Sequence, residues 1–242
     1  MKHLLATVAL GPLLLLQGRH VRRVTPKLPE PSGPRSGEVG EGALLRLLIL
    51  GDSAAAGVGA QTQDQALSGQ LLQALSPYFR VRWLLQAQTG ITTAETLQQL
   101  RDQQTEAFDV VVTSLGVNDV TANCSPARWL DNKSQLLSLL QQQCRAQLVL
   151  LSELPPMHRF PALPQPLRWY LGAQAQRYNR GLQNLLQQRS DCRLVTVPVP
   201  VPAAGADLVA SDGFHPGPGF YRLWGQQLAQ DIRRYWRPAA PG

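Results

Sequence analysis

Short apolar runs of strand length alternate with helix-like stretches along most of this chain, and this alternation restricts the possible folds more than any other feature. Strands buried on both faces are continuously apolar, whereas helices place apolar residues three or four positions apart. The predicted strands are Leu47–Leu50, Val81–Leu85, Asp109–Leu115, Gln147–Leu151 and Arg193–Val199. The predicted helices are Asp64–Leu75, Thr93–Arg101, Ser134–Gln143, Arg168–Gln188 and Phe220–Trp236. Because helical crossovers join parallel strands, we expect a three-layer, doubly wound α/β/α domain with five parallel strands over about residues 44–237.

Residues 1–23 form a separate hydrophobic segment. Lys2 and His3 precede an apolar run, Leu4–Leu16, and basic residues follow it. The run is shorter than the roughly 20 apolar residues of a transmembrane helix, so it fits a signal-peptide core or an interfacial membrane anchor. An ordinary buried segment is the alternative. A signal-like core favours export to the periplasm, whereas arginines behind the run favour a cytoplasmic-facing anchor, so both locations stay open.

Two segments rich in proline do not fit the helical pattern. Residues 24–43 contain four prolines and several glycines with little apolar content, which predicts a linker or an extended arm. Residues 153–166 contain five prolines and follow the fourth predicted strand. This second segment is either a wall of a functional site, with Met157, Phe160 and Leu163 offering apolar contacts, or a plain surface crossover.

Composition excludes several classes of protein. The chain has 242 residues, of which 44% are hydrophobic, as expected for one globular α/β domain. The net charge of +7 comes mostly from scattered arginines, and only three lysines occur, so we expect no nucleic-acid partner. The three cysteines, Cys124, Cys144 and Cys192, form no C-x-x-C pair. They argue against a disulfide framework or a zinc site; one bridge stays open, but buried free thiols are favoured.

A serine directly after the first strand is the first candidate for chemistry. The apolar run ends at Gly51, and Asp52 and Ser53 follow before a series of alanines. This pattern predicts a serine at the carboxyl edge of the sheet, where open α/β folds bind ligands. The same position near a helix N-terminus suits a developing negative charge. A simple helix cap explains the pattern equally well, because aspartate and serine are both good N-caps.

Histidine is scarce, which narrows the search for a base that would activate this serine. His3 and His20 lie in the N-terminal segment, which leaves His158 and His215. His215 follows the last predicted strand and has Asp212 three residues before it in a turn-forming stretch. Such a carboxylate can fix the imidazole tautomer and stabilise the imidazolium. A turn with a capping aspartate remains the alternative interpretation of this short pattern.

Four motifs, each at the end of a predicted strand, together resemble the SGNH (GDSL) hydrolases. They are Gly51-Asp52-Ser53, Gly90, Gly116-x-Asn118-Asp119 and Asp212-x-x-His215. The resemblance extends from Leu47 to about Trp236. It implies a flavodoxin-like sheet and ester hydrolysis without a metal or organic cofactor.

The same resemblance implies a role for each matching residue. Ser53 corresponds to the nucleophile, His215 to the general base and Asp212 to the carboxylate that orients it. The Ser53 N–H, the Gly90 N–H and the Asn118 side-chain amide correspond to the oxyanion donors. Taken without the resemblance, Gly90 and Asn118 are also explained as turn residues.

These residues predict a serine esterase that acts on small-molecule carboxylic esters. Short-chain esters, acylated sugars and lysophospholipid-like molecules are the candidate substrates, and the hydrophobic N-terminal segment favours the lipid-like ones. A thioesterase of the same fold is the nearest alternative. A non-catalytic lipid- or carbohydrate-binding protein on this scaffold is the alternative from a different class.

Overall fold

A six-stranded sheet organises the chain in the computed structural model, which describes residues 2–103, 106–196 and 207–237, with side chains from residue 10 onward. The strands are β1 (Ser36–Val39), β2 (Leu44–Gly51), β3 (Arg80–Ala87), β4 (Val110–Ser114), β5 (Leu148–Ser152) and β6 (Cys192–Val195). Their order across the sheet is β1-β3-β2-β4-β5-β6. Strand β1 pairs antiparallel with β3, and the other neighbours are parallel.

Helices cover both faces of this sheet. They are α1 (Lys2–Val24), α2 (Ser53–Ala56), α3 (Leu67–Leu75), α4 (Thr93–Asp102), α5 (Val117–Thr121), α6 (Pro126–Gln142), α7 (Leu167–Leu186) and α8 (Pro218–Tyr235). Two short 3₁₀ helices, Gln63–Gln65 and Met157–Arg159, lie in the connections. Successive side chains of β2 enter different cores: Leu48 and Leu50 pack with α4, α6 and α7, whereas Leu47 and Ile49 pack with α3 and α8. This two-sided burial explains why the strand is continuously apolar.

The predicted doubly wound α/β/α class and its five parallel strands are confirmed, and β1 is a sixth strand that the pattern did not indicate. It lies within residues 24–43, the predicted linker or arm. All four residues of β1 are exposed, so no apolar alternation marks it. Its Glu38 forms ion pairs with Arg80 and Arg82 of β3. The last predicted strand is observed as Cys192–Val195, and its predicted end at Val197–Val199 lies outside the described residues.

Helix α1 lies against α7 at one side of the domain. Leu14 and Val21 are buried in the core that contains α7. The Gln17 side chain donates to the carbonyl of Gln165 at 2.7 Å and accepts the N–H of Leu167 at 3.1 Å. Among the described residues, no helix combines the length and the hydrophobicity that a transmembrane span requires.

None of the three cysteines forms a disulfide. Cys144 and Cys192 are buried, and Cys124 is half-buried. Burial and the neighbouring Asp191 carboxylate raise the pKa of Cys192 to about 12, so this thiol stays protonated at neutral pH.

Candidate active site

The turn between β2 and α2 places Ser53 at the carboxyl edge of the sheet. Asp52 is the N-cap of α2 and accepts the N–H of Ala54 at 3.1 Å. Gly51 has no room for a side chain, because a Cβ there would lie 2.4 Å from the carbonyl oxygen of Ser114 on β4. The close approach of β4 therefore requires glycine at this position. Ser53 itself is 9% exposed, which leaves its hydroxyl at the boundary between core and solvent.

The loop before α8 brings His215 and Asp212 to this serine. His215 Nε2 lies 3.0 Å from Ser53 Oγ, and His215 Nδ1 lies 2.5 Å from Asp212 Oδ2. The other carboxylate oxygen, Oδ1, accepts the backbone N–H groups of Phe214 and His215 at 2.9 and 3.0 Å. The three side chains thus form one continuous hydrogen-bonded row, with the imidazole in the middle.

The Asp212 carboxylate is held in its ionised form. Burial would raise its pKa, but the hydrogen bonds from the His215 ring and from two backbone N–H groups outweigh burial and lower the pKa below its usual value. At neutral pH this carboxylate therefore faces the imidazole as an anion. An anion in this position favours the tautomer that carries the proton on Nδ1 and leaves Nε2 to accept.

His158, the other candidate base, lies elsewhere. It is exposed on the 3₁₀ helix Met157–Arg159, and its backbone packs against Gly172 of α7. No carboxylate contacts it within the described residues. The structure therefore brings His215, and not His158, to Ser53.

The proline-rich segment 153–166 meets the loop of His215 through one aromatic residue. Phe160 packs edge-on against Phe214, with ring centroids 4.9 Å apart. Met157 and Leu163, also expected to offer contacts to a ligand, are 0% and 2% exposed and belong to the core. This loop lies across the core, and its apolar side chains therefore pack into the core. The sequence alone did not show that the loop takes this path.

Gly90 occupies the turn after β3. The Ile91 N–H donates to the Gln88 carbonyl at 3.3 Å, and Gly90 has a φ of +85°, as the third position of a type II turn requires. Glu30 fixes this turn from outside, because its carboxylate accepts both the backbone N–H and the hydroxyl of Thr89. A Cβ at Gly90 would meet no atom within 4 Å, so open space lies beside this backbone.

Asn118 lies in the first turn of α5, directly after β4. Its side-chain Nδ2 donates to the Ile91 carbonyl at 2.9 Å, one residue beyond Gly90. A carboxamide nitrogen carries two hydrogens, so this bond uses one of them and orients the other. The turn of Gly90 and the amide of Asn118 are thus held next to each other by a direct bond.

Asp119 strengthens the same connection. Its Oδ2 accepts the backbone N–H of Thr93 at 3.1 Å and the Thr93 hydroxyl at 2.8 Å. Burial raises the pKa of Asp119, although the Thr93 bonds oppose this effect. Burial likewise raises the pKa of Asp52 to about 7. Two buried carboxylates therefore support the site, one behind Ser53 and one behind Asn118.

Sequence patterns did not single out Thr93, Trp129 or Lys133 in this region. The Trp129 indole donates to the Thr93 hydroxyl at 3.1 Å, and Lys133 is 2% exposed on the same helix, α6. The pattern placed the start of that helix at Ser134, so both residues fell outside it. Two features of the sequence could have indicated Lys133: lysine is rare in this chain, and Lys133 lies four residues after Trp129, a spacing that places both on one face of a helix.

A hydroxyl, an imidazole and a carboxylate in this order can deprotonate the hydroxyl and store its proton. Backbone N–H groups and a carboxamide are groups that can stabilise an oxyanion. A doubly wound α/β/α sheet with such a row at its carboxyl edge is typical of hydrolases with a serine nucleophile.

The model of the GDSL-like lipase/acylhydrolase family matches residues 49–223, which is most of the chain. This chain therefore belongs to that family, and the resemblance to the SGNH (GDSL) hydrolases is confirmed. It is a carboxylic ester hydrolase of this type. No curated protein matches it in overall sequence.

Solved structures show the same fold at low sequence identity. The psychrotrophic esterase EstA from Pseudoalteromonas sp. is 19% identical with a TM-score of 0.58, over 78% of this chain and 97% of that one. The native M. smegmatis aryl esterase is 19% identical with a TM-score of 0.61, over 79% of this chain and 100% of that one. Est24, a carbohydrate acetylesterase from Sinorhizobium meliloti, is 16% identical with a TM-score of 0.59, over 79% of this chain and 100% of that one.

Proposed function

We propose that this protein hydrolyses carboxylic esters through an acyl-enzyme on Ser53. The observation that carries the proposal is the row of contacts from Ser53 Oγ through His215 to Asp212, at 3.0 and 2.5 Å. His215 Nε2 accepts the hydroxyl proton while Oγ attacks the ester carbonyl carbon. Asp212 stabilises the imidazolium that forms without taking its proton.

The alkoxide produced by this attack needs hydrogen-bond donors. The Ser53 N–H belongs to the first turn of α2 and therefore has no partner inside the helix. Open space lies beside the Gly90 backbone, and the Gly90 N–H and the second N–H of Asn118 complete the set that we propose as the oxyanion hole. None of these donors carries a titrating charge.

Collapse of the tetrahedral intermediate breaks the bond to the leaving alcohol. The His215 Nε2–H donates its proton to that alcohol, which departs and leaves the acyl group on Ser53. Water then enters, His215 accepts one of its protons, and hydroxide attack releases the acid and restores the Ser53 hydroxyl. The same imidazole acts as base and acid in both halves.

Covalent labelling tests the nucleophile directly. The EstA structure bears a monoethylphosphonate inhibitor, which supports a phosphonate as the probe. We expect one phosphonyl group per chain, located at Ser53 by peptide mass spectrometry, together with loss of p-nitrophenyl ester hydrolysis. Ser53→Ala should take up no label, whereas Ser211→Ala, an exposed serine in the loop of Asp212, should label normally. Labelling at another serine would contradict the proposal.

The substrate class that we propose is small carboxylic esters, with short-chain, acylated-sugar and lysophospholipid-like molecules as candidates. Neighbours of the same fold are named for aryl esters and for carbohydrate acetates, which supports testing both kinds of alcohol. Hydrolysis of p-nitrophenyl esters of increasing acyl length measures the size of the acyl site. Matched oxygen esters and thioesters separate an esterase from a thioesterase.

We also propose that the N-terminal segment binds a membrane surface, with residues 4–16 as its apolar part. Leu13, Leu15 and Leu16 are 44, 63 and 63% exposed on α1. Exposed basic residues follow them on the same helix: Arg19, His20, Arg22 and Arg23. A helix that exposes apolar residues beside cationic ones fits the interface of an anionic bilayer.

Vesicle binding of the full chain tests this surface. We expect co-sedimentation with phosphatidylcholine vesicles that contain phosphatidylglycerol, and weaker binding at high salt because salt screens the basic residues. Leu15→Glu combined with Leu16→Glu should reduce partitioning at least about tenfold, because two exposed leucines no longer enter the interface. Val39→Glu combined with Val209→Glu changes two exposed apolar residues elsewhere and should bind normally. Equal binding by both double variants would contradict this role of α1.

A further inference from the structure

Lys133 is a buried cation that the proposed mechanism does not use. It lies on α6 with only 2% of its surface exposed, and its Nζ is 5.4 Å from the centroid of the Trp129 ring. A lysine is almost never fully buried unless a partner compensates its charge. The aromatic ring offers a partial compensation through its negative face.

Two buried carboxylates supply the remaining compensation. The charges that act on Lys133 are those of Asp119 and Asp52, and both favour its protonated form. Burial lowers the pKa of Lys133 to about 8, so the side chain is still mainly an ammonium at neutral pH. In the described ranges no carboxylate oxygen lies within ion-pair distance of Nζ, so these charges act across the interior.

The two carboxylates also act on each other. Asp119 raises the pKa of Asp52, whereas Lys133 lowers the pKa of both. Without the ammonium, two like charges in a buried region would favour proton uptake by at least one of them. An uncharged carboxyl accepts hydrogen bonds more weakly than a carboxylate.

Asp119 is the buried carboxylate that is adjacent in sequence to Asn118, one of the proposed oxyanion donors. It accepts both donors of Thr93, and its neighbour Asn118 bonds to Ile91. These contacts hold the turn of Gly90 against α5. The Trp129 indole, one helical turn before Lys133, donates to the same Thr93 hydroxyl, so α6 contacts this connection through Trp129, and Lys133 packs against that ring.

We propose that Lys133 is a positioning residue: its buried ammonium, packed against the Trp129 ring whose indole bonds to Thr93, stabilises the hydrogen bonds from Thr93 to Asp119 and thereby holds the Asn118 amide beside Gly90. This inference rests on the proposed function of the site. Lys133 does not contact the substrate. Its effect is on the geometry in which the transition state is stabilised, so it acts on kcat more than on KM.

A double-mutant cycle in the full chain tests this role. Lys133→Met keeps the length of the side chain and removes its charge. With p-nitrophenyl acetate as substrate, we expect this change to lower kcat about tenfold or more while KM stays within about twofold. In the background of Asp119→Asn, whose carboxamide oxygen still accepts from Thr93, the same change should alter kcat by less than about twofold. Lys27→Met, which removes an exposed positive charge, should behave as the wild type.

The cycle separates positioning from packing. Loss of packing around the lysine stem would lower kcat equally in both backgrounds, and that outcome overturns the inference. Unchanged kcat in Lys133→Met overturns it as well. If Lys133→Met does not fold, the comparison between Asp119→Asn and the double variant still tests the inference, because a fall in kcat of more than about twofold between these two variants overturns it. Ser53→Ala serves as the separate test: activity that survives there contradicts the proposed nucleophile and not the cycle.

Discussion

Replacing His215 with alanine should lower kcat/KM for p-nitrophenyl acetate by about 10⁴- to 10⁶-fold. The imidazole is the group that contacts Ser53 Oγ, and a serine hydroxyl is a poor nucleophile until a base removes its proton. Because the oxyanion donors and the binding surface remain, activity above the uncatalysed rate should persist. Steady-state kinetics with enzyme concentrations high enough to detect that remainder measure the effect.

Two further variants show whether this loss is specific. His158→Ala removes the exposed histidine that lies away from the site and should retain wild-type activity. Asp212→Asn should lose about 10⁴-fold, because a carboxamide beside Nδ1 favours the wrong tautomer of His215. A His215→Ala variant that keeps more than about one hundredth of the wild-type rate would contradict the role of general base.

Asn118→Ala should lower kcat by about 10²- to 10³-fold, which corresponds to about 2.7–4 kcal/mol of transition-state stabilisation. The carboxamide is the side-chain donor of the proposed oxyanion hole, and its bond to the Ile91 carbonyl fixes its direction. Since the oxyanion exists only in the transition state and intermediate, KM should change little. The measurement is kcat and KM with p-nitrophenyl acetate, together with the thermal unfolding midpoint.

A matched asparagine provides the control for Asn118. Asn184 is exposed on α7, and Asn184→Ala should leave kcat unchanged. Asn118→Asp is isosteric and places a carboxylate where negative charge develops, so it should be at least as damaging as alanine. An Asn118→Ala variant with raised KM and normal kcat would assign this residue to substrate binding instead.

Local hydrophobic patterns in the sequence predicted most of the strands and helices. Apolar runs mark β2, β4 and β5 because both faces of each strand are buried, and helical spacing marks α3, α4, α7 and α8. Strand β1 carries no such pattern. It is an edge strand held by its backbone pairing with β3 and by ion pairs of Glu38, neither of which follows from local hydrophobicity.

The candidate site was also predictable only in part. The residue types and their places at strand ends, from Gly51-Asp52-Ser53 to Asp212-x-x-His215, follow from the sequence. Parallel strands bring their carboxyl ends to one edge of a sheet, so residues that follow different strands are expected there together. The contact between Nε2 of His215 and Ser53, 162 residues away in the chain, depends on how the loops pack at that edge, and the same packing keeps His158 away from the serine.

The same holds for Lys133. In the sequence it lies among glutamine, serine and charged residues that are typical of a solvated helix face. The packing of α6 against the sheet and α4 buries it instead, with Asp52 and Asp119 as the compensating charges. Burial depends on which elements pack together, and a charge becomes buried only when residues far apart in the chain supply its partners. Local pattern therefore determined the elements, and long-range packing decided which polar groups they enclose.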